Sequence, residues 1–173
     1  MSMPDALHSV FTEKAAQQNR VTEITIGTDR ITLYLEPEVA RRYARPDCQQ
    51  PVVVQPHDRE TIVVQGLGVQ GRALRYVVTM QRLAYLNDAG KFVTFTLPMA
   101  GIRTDLCVTE EVVARALYLM IDCNLPTPLT AQMLQSLSQI ETSESALARW
   151  KRAEAEHLPS VGALIQHLNE KKR

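Results

Sequence analysis

The sequence predicts an α+β protein: a mostly antiparallel sheet of about five strands with an N-terminal helix, followed by a C-terminal bundle of about four helices. Three observations carry this. Between Pro51 and Thr96 the chain is dense in β-branched and aromatic residues, which suit a pleated, half-buried surface. From about Val108 onward apolar residues recur at three- and four-residue steps, the period of a helix face. A chain of 173 residues with 45% hydrophobic and 22% charged side chains has the composition of an ordinary globular protein, long enough to bury a core.

The elements follow in order. Asp5 to Gln18 reads as a short helix with Leu7, Val10, Phe11 and Ala15 on one face, and Pro4 suits its first turn. From Val21 the period changes to two; Gly27-Thr-Asp then turns the chain into Ile31-Thr-Leu-Tyr-Leu, the pattern of a hairpin. Pro37 to Tyr43 reads as a brief helix carrying Arg41 and Arg42. Strands are expected at Pro51-Val-Val-Val-Gln, Thr61-Ile-Val-Val-Gln, Leu74 to Leu86 and Phe92 to Leu97. Asn87-Asp-Ala-Gly-Lys connects the last two, because Asn, Asp and Gly tolerate positive φ. Gly66, Gly68 and Gly71 lack the Gly-Lys-Ser/Thr ending of a phosphate loop and read as a bulge or wide turn.

Thr109-Glu-Glu opens a helix with a capping hydroxyl and two carboxylates in its first turn, where the dipole favours negative charge. Val112, Val113, Ala116, Leu117 and Met120 form its apolar stripe, and Asn124-Leu-Pro-Thr-Pro stops it. Leu129 to Leu137 is a second helix, Ser143 to His157 a third with Ser143 as cap, and Val161, Leu164, Ile165 and Leu168 build a fourth. The expected division is a β-rich domain over residues 1–103 and a helical domain over 104–173.

No apolar stretch approaches the roughly 20 residues of a membrane helix, and the first residues lack the order of a secretion signal. Three widely spaced cysteines, Cys48, Cys107 and Cys123, suit reduced thiols, so a cytoplasmic location is expected; Cys107 and Cys123 read as small core residues. Net charge is zero, but residues 39–103 carry 9 basic and 4 acidic groups between acidic flanks. Such a middle can present a positive face to phosphate.

The most informative stretch is Leu137-Ser-Gln-Ile-Glu-Thr-Ser-Glu-Ser-Ala-Leu-Ala-Arg-Trp-Lys-Arg. Leu137 and Ile140, a capping Ser143, then Leu147 and Trp150 suit a helix-turn-helix, with Glu141 where a turn glycine is usual. Small polar residues at the second helix's start, Ser143 and Ser145, would enter a major groove, and Arg149, Lys151 and Arg152 would meet phosphates. Arg41, Arg42, Arg72 and Arg75 are candidate phosphate contacts from the basic middle. His57-Asp58 with Glu60 reads as a polar turn; no histidine stands beside a nucleophile, and neither an enzyme nor a cofactor is expected.

Residues 45–152 resemble the N-terminal DNA-binding region of insertion-sequence transposases. Cys48-Gln-Gln-Pro, the β segments after it and Gln81 to Pro98 are similar to a zinc ribbon, and Ser143-Glu-Ser-x-Leu-x-Arg-Trp150 is similar to the recognition helix that follows. Cys48 is the only cysteine of the ribbon-like part, so the four-ligand zinc site is missing and no metal is expected. The resemblance implies a small accessory or regulatory protein binding duplex DNA, in a mobile-element or transcriptional setting. The alternative class is a protein-interaction subunit or secretion-type adaptor that holds a partner polypeptide, or a second copy, on a sheet edge and the N-terminal helix.

Overall fold

A long hairpin organises the molecule. In the computed structural model, which describes residues 10–45 and 50–157, β5 (Gln55–Val69) and β6 (Arg72–Leu86) run antiparallel over 15 residues each. Gln70 and Gly71, both at positive φ, turn one into the other. On the far edge of β6, β2 (Arg30–Glu36) pairs in parallel with its first half, and β7 (Phe92–Thr96) pairs antiparallel with its second half. β1 (Arg20–Ile26) lies outside β2 through the Gly27 turn. On the other edge, β9 (Val108–Thr109) pairs with β5 and β8 (Ile102–Arg103) with β9. A separate two-stranded sheet joins β3 (Arg42–Ala44) to β4 (Pro51–Val53).

Among the described residues the sheet is therefore seven-stranded and mixed, which corrects the expected mostly antiparallel sheet of about five strands. Its parallel pair arises because the chain leaves β2, makes β3 to β5, and returns along β6 beside β2. β8 and β9 bridge the boundary expected at residue 103. The expected C-terminal four-helix bundle does not form either. α1 (Lys14–Gln18) is a single short turn, while α2 (Glu110–Leu117), α3 (Thr127–Ser138) and α4 (Glu144–His157) close on the β5 and β9 edge. Leu67 of β5 and Val108 of β9 supply part of their core. The fourth helix, expected around Val161 to Leu168, lies outside the described residues.

Among the described residues, three apolar clusters lie along the hairpin. The first packs Phe11, Ala15 and Met99 against Leu33, Leu74 and Tyr76; the second packs the helices; the third joins Val54, Leu83, Tyr85 and Leu97. Several local expectations change. Of Asp5 to Gln18, only Lys14–Gln18 is helical among the described residues. Pro37 to Tyr43 is not a helix: Tyr43 enters β3, and its hydroxyl accepts from the Ala40 amide and donates to the Glu38 carbonyl. His57, Asp58 and Glu60 stand in β5, with Asp58 opposite Arg82.

The Gly66 region is a bulge, as the sequence suggests, since the β5–β6 register shifts between Gly66 and Val69. Asn87 accepts the Ala89 and Lys91 amides, and Gly90 has φ 70°, which makes the β6–β7 turn. Cys107 and Cys123 are exposed rather than in the core. Cys107 sits at φ 55° between β8 and β9, and Cys123 ends a π-helical turn over Tyr118–Asp122. Among the described residues no helix is long and apolar enough to cross a membrane.

Candidate nucleic-acid interface

Thr109 starts the helical part as expected, its hydroxyl accepting the Val112 amide. Asn124, at φ 51°, and Pro126 end the turn after α2 and launch α3. α3 stops at Gln139, whose left-handed φ of 55° goes with a bond from its own amide to the Gln135 carbonyl, the single bond of an αL-type helix end, while the Ile140 amide reaches back to the Leu134 carbonyl. The left-handed residue is Gln139, not Glu141. Ile140 drops fully into the core while Leu137 stays 68% exposed, so Leu137 does not pack as its spacing suggests. The Ser143 hydroxyl accepts the Ala146 amide and caps α4. Leu147 and Trp150 are both buried.

With Leu147 and Trp150 inward, Ser145 and Arg152 project from the opposite face and Arg149 from its margin, on a groove that Trp150 also lines; all three are exposed. Lys151 is exposed beside them, and Ser143 bonds Ser145 through their hydroxyls at 2.9 Å. Arg149, Lys151 and Arg152 have no ion-pair partner among the described residues. Of the helix's acidic residues, Glu154 is tied to Arg103, which also grips Asp105 at 2.9 Å. Glu144 and Glu156 are exposed.

The sheet brings two of the expected arginines towards this helix. Gln65 of β5 exchanges two hydrogen bonds of 3.2 Å with the Glu141 backbone, pinning the α3–α4 turn to the sheet. Arg75 stands directly opposite Gln65 on β6, one strand away. Arg72 is close to the same turn, because a Cβ added at Gly68 would meet both the Arg72 and the Ser138 carbonyl oxygens. Arg41 and Arg42 are not brought there. β3 pairs with β4 just ahead of the start of β5, which faces Ala84. From Arg75 to Ala84 along β6 is about 30 Å at ~3.3 Å per residue.

Sequence reasoning missed a buried polar centre beneath α2. The Glu13 carboxylate, 3% exposed, accepts from the Tyr76 hydroxyl at 2.7 Å, the Thr109 hydroxyl at 2.5 Å and the Leu67 amide at 3.0 Å. Burial pushes its pKa up, against the lowering effect of those donors. The same burial, with the nearby Glu13 charge, holds the Tyr76 hydroxyl protonated far above the usual tyrosine range. Only a glycine at 66 leaves room for the carboxylate, and that pairing is invisible to local pattern.

A cavity of about 920 Å³ opens where β2 and β7 meet along β6, between Arg20, Glu36, Tyr43, Phe95, Thr96 and Met99. No group of three or more His, Cys, Asp or Glu side chains among the described residues is placed to hold a metal. No family, no curated protein and no solved structure matches this chain.

Proposed function

We propose that the protein binds duplex DNA, with the outward face of α4 in the major groove and Arg72 and Arg75 on flanking phosphates, as an accessory or regulatory factor of the kind found with mobile elements. One observation carries the reading: α4 is held by Leu147 and Trp150 while Ser145, Arg149, Lys151 and Arg152 stay exposed and without ion-pair partners among the described residues. Cations so held lose little side-chain pairing on meeting phosphate, and the capped helix start is small and polar enough to approach base edges. The Arg103–Glu154 pair supports it by taking one carboxylate out of α4's field. Arg41 and Arg42 drop out of the proposed site.

The test is a fluorescence anisotropy titration of random and native-locus duplexes at two salt concentrations. Wild-type affinity should fall steeply with salt as counterions are released. Arg149→Ala and Arg152→Ala should each weaken binding, reducing the salt slope by about one for a phosphate contact or costing about 1–3 kcal/mol at one base position. Wild-type binding no tighter than about 10⁻⁴ M, the weak end of non-specific affinity, ends the DNA reading.

The partner-binding reading then takes its place, and β7 favours it. This edge strand, Phe-Val-Thr-Phe-Thr, has neither charge nor bulge, and Phe92 is 70% exposed. β1, by contrast, carries Arg20, Glu23 and a register shift. An unguarded edge is a template for an added strand.

A further inference from the structure

A groove of about 490 Å³ runs beside the start of α4, lined by Gln65, Cys107, Glu141, Thr142, Arg149 and Trp150 among others. Two of these side chains hold buried polar atoms without a partner among the described residues: the Trp150 indole N–H and the Thr142 hydroxyl. Trp150 is 2% exposed, so its N–H is withdrawn from bulk water, and a buried donor is stabilised by an acceptor. An indole N–H and a guanidinium donate only; a hydroxyl can donate too. The Ser143 cap takes the Ala146 amide, and the start of a helix leaves its other early amides to solvent or ligand, under a dipole that favours an anion.

Two buried donors without an acceptor and an exposed guanidinium belong to residues that line one groove, and such a set selects a ligand that is anionic and rich in lone pairs. We propose that this groove binds one phosphate group, with the Arg149 guanidinium and the Trp150 N–H as its main donors and the Thr142 hydroxyl as a third. Gln65 is spent on the Glu141 backbone and stiffens the wall. The Cys107 thiol is directed to the Thr104 carbonyl and does not compete. The exposed Glu141 carboxylate on the rim opposes an anion, so the groove acts through placed donors rather than a broad positive field. A DNA phosphodiester and a free phosphate share this chemistry. The first source rests on the DNA reading above; the second stands without it.

Trp150 is the only tryptophan of the chain, so the protein has a single indole N–H resonance, and it comes from a residue that lines the groove. The full chain is titrated with inorganic phosphate, with chloride at matched ionic strength, and with a short duplex. Saturable movement of the indole N–H resonance with phosphate or duplex, absent with chloride, is expected. Arg149→Ala should weaken it about tenfold or more, the scale of one charge-assisted hydrogen bond, while Glu141→Gln should strengthen it. Phosphate that competes with duplex marks the phosphodiester as the source. Saturable phosphate binding with duplex binding absent or undisturbed marks free phosphate. An indole resonance moved by neither ligand, or moved equally by chloride, overturns the proposal. Duplex binding that persists with that resonance still would overturn the groove and leave the DNA reading standing.

Discussion

Replacing Gly66 by alanine tests the buried centre that joins the sheet to the helices. A Cβ at this position would overlap the Glu13 Oε2 atom, and would lie 2.5 Å from Tyr76 Cε2 and 3.1 Å from Leu74 Cδ2. Gly66 is not in the left-handed φ region, so the cost is one of space rather than of backbone conformation. Relief by shifting Tyr76 and Leu74 is overpacking, about 1–3 kcal/mol. Relief by moving Glu13 strands the Tyr76 and Thr109 hydroxyls, at roughly 1–3 kcal/mol for each buried group left unpaired. Because the Cβ meets both obstructions, a total of about 3–9 kcal/mol follows, a large share of the ~5–15 kcal/mol that holds a typical domain together. Urea melts followed by Trp150 emission and far-ultraviolet dichroism measure it. In a Glu13→Ala background one of the three obstructions is gone, so the cost of Gly66→Ala should fall by about 1–3 kcal/mol, the coupling expected of residues in contact. A cost below about 1 kcal/mol, or strict additivity of the two changes, would refute the reasoning.

Trp150→Ala should cost about 3–5 kcal/mol, because the side chain is 2% exposed and truncation leaves a cavity; an unchanged melting temperature would place it at the surface. Glu13→Gln should change how stability depends on pH. Burial raises the folded-state pKa of Glu13, so its contribution is full below the unfolded carboxyl range and is lost as pH rises through the folded pKa, at no more than ~1.4 kcal/mol per pH unit. The wild-type stability minus that of Glu13→Gln should therefore decline with rising pH, and a flat difference would count against the raised pKa. Thr109→Ala removes the α2 cap and one donor to Glu13 together; a loss of about 2–4 kcal/mol is expected from the two roles, against well under 1 kcal/mol for Thr104→Ala on the exposed turn.

Local signals were legible where chemistry acts within a few residues. Thr109 and Ser143 cap their helices, the Asn87 turn forms with Gly90 at positive φ, and Leu147 and Trp150 pack inward. The overall arrangement was not, because it depends on pairings across long separations. The parallel β2–β6 ladder and the two-residue strands β8 and β9 have no periodicity of their own. Without them the helices read as a bundle, although their core includes Leu67 and Val108. The outward face of α4 could be read from the positions of Leu147 and Trp150 alone. The separation of Arg41 and Arg42 from Arg75 could not, since net charge along a chain carries no distance. Glu13 illustrates the same limit: a carboxylate between Thr12 and Lys14 looks solvated until Gly66, Tyr76 and Thr109 are found around it.

The hairpin of β5 and β6 threads three apolar clusters that share the strands but little else. Such a molecule need not melt in one piece. The cluster of Val54, Leu83, Tyr85 and Leu97 is small and rests on the short β3–β4 sheet, so amides of β7 and of residues 82–86 should exchange with solvent by a local opening of lower free energy than those of 73–78. The end bearing α4 would then outlast the loss of the other end. A chain nicked or heat-stressed near Tyr43 would keep its helical face intact, and damage at one extremity would go unnoticed at the other.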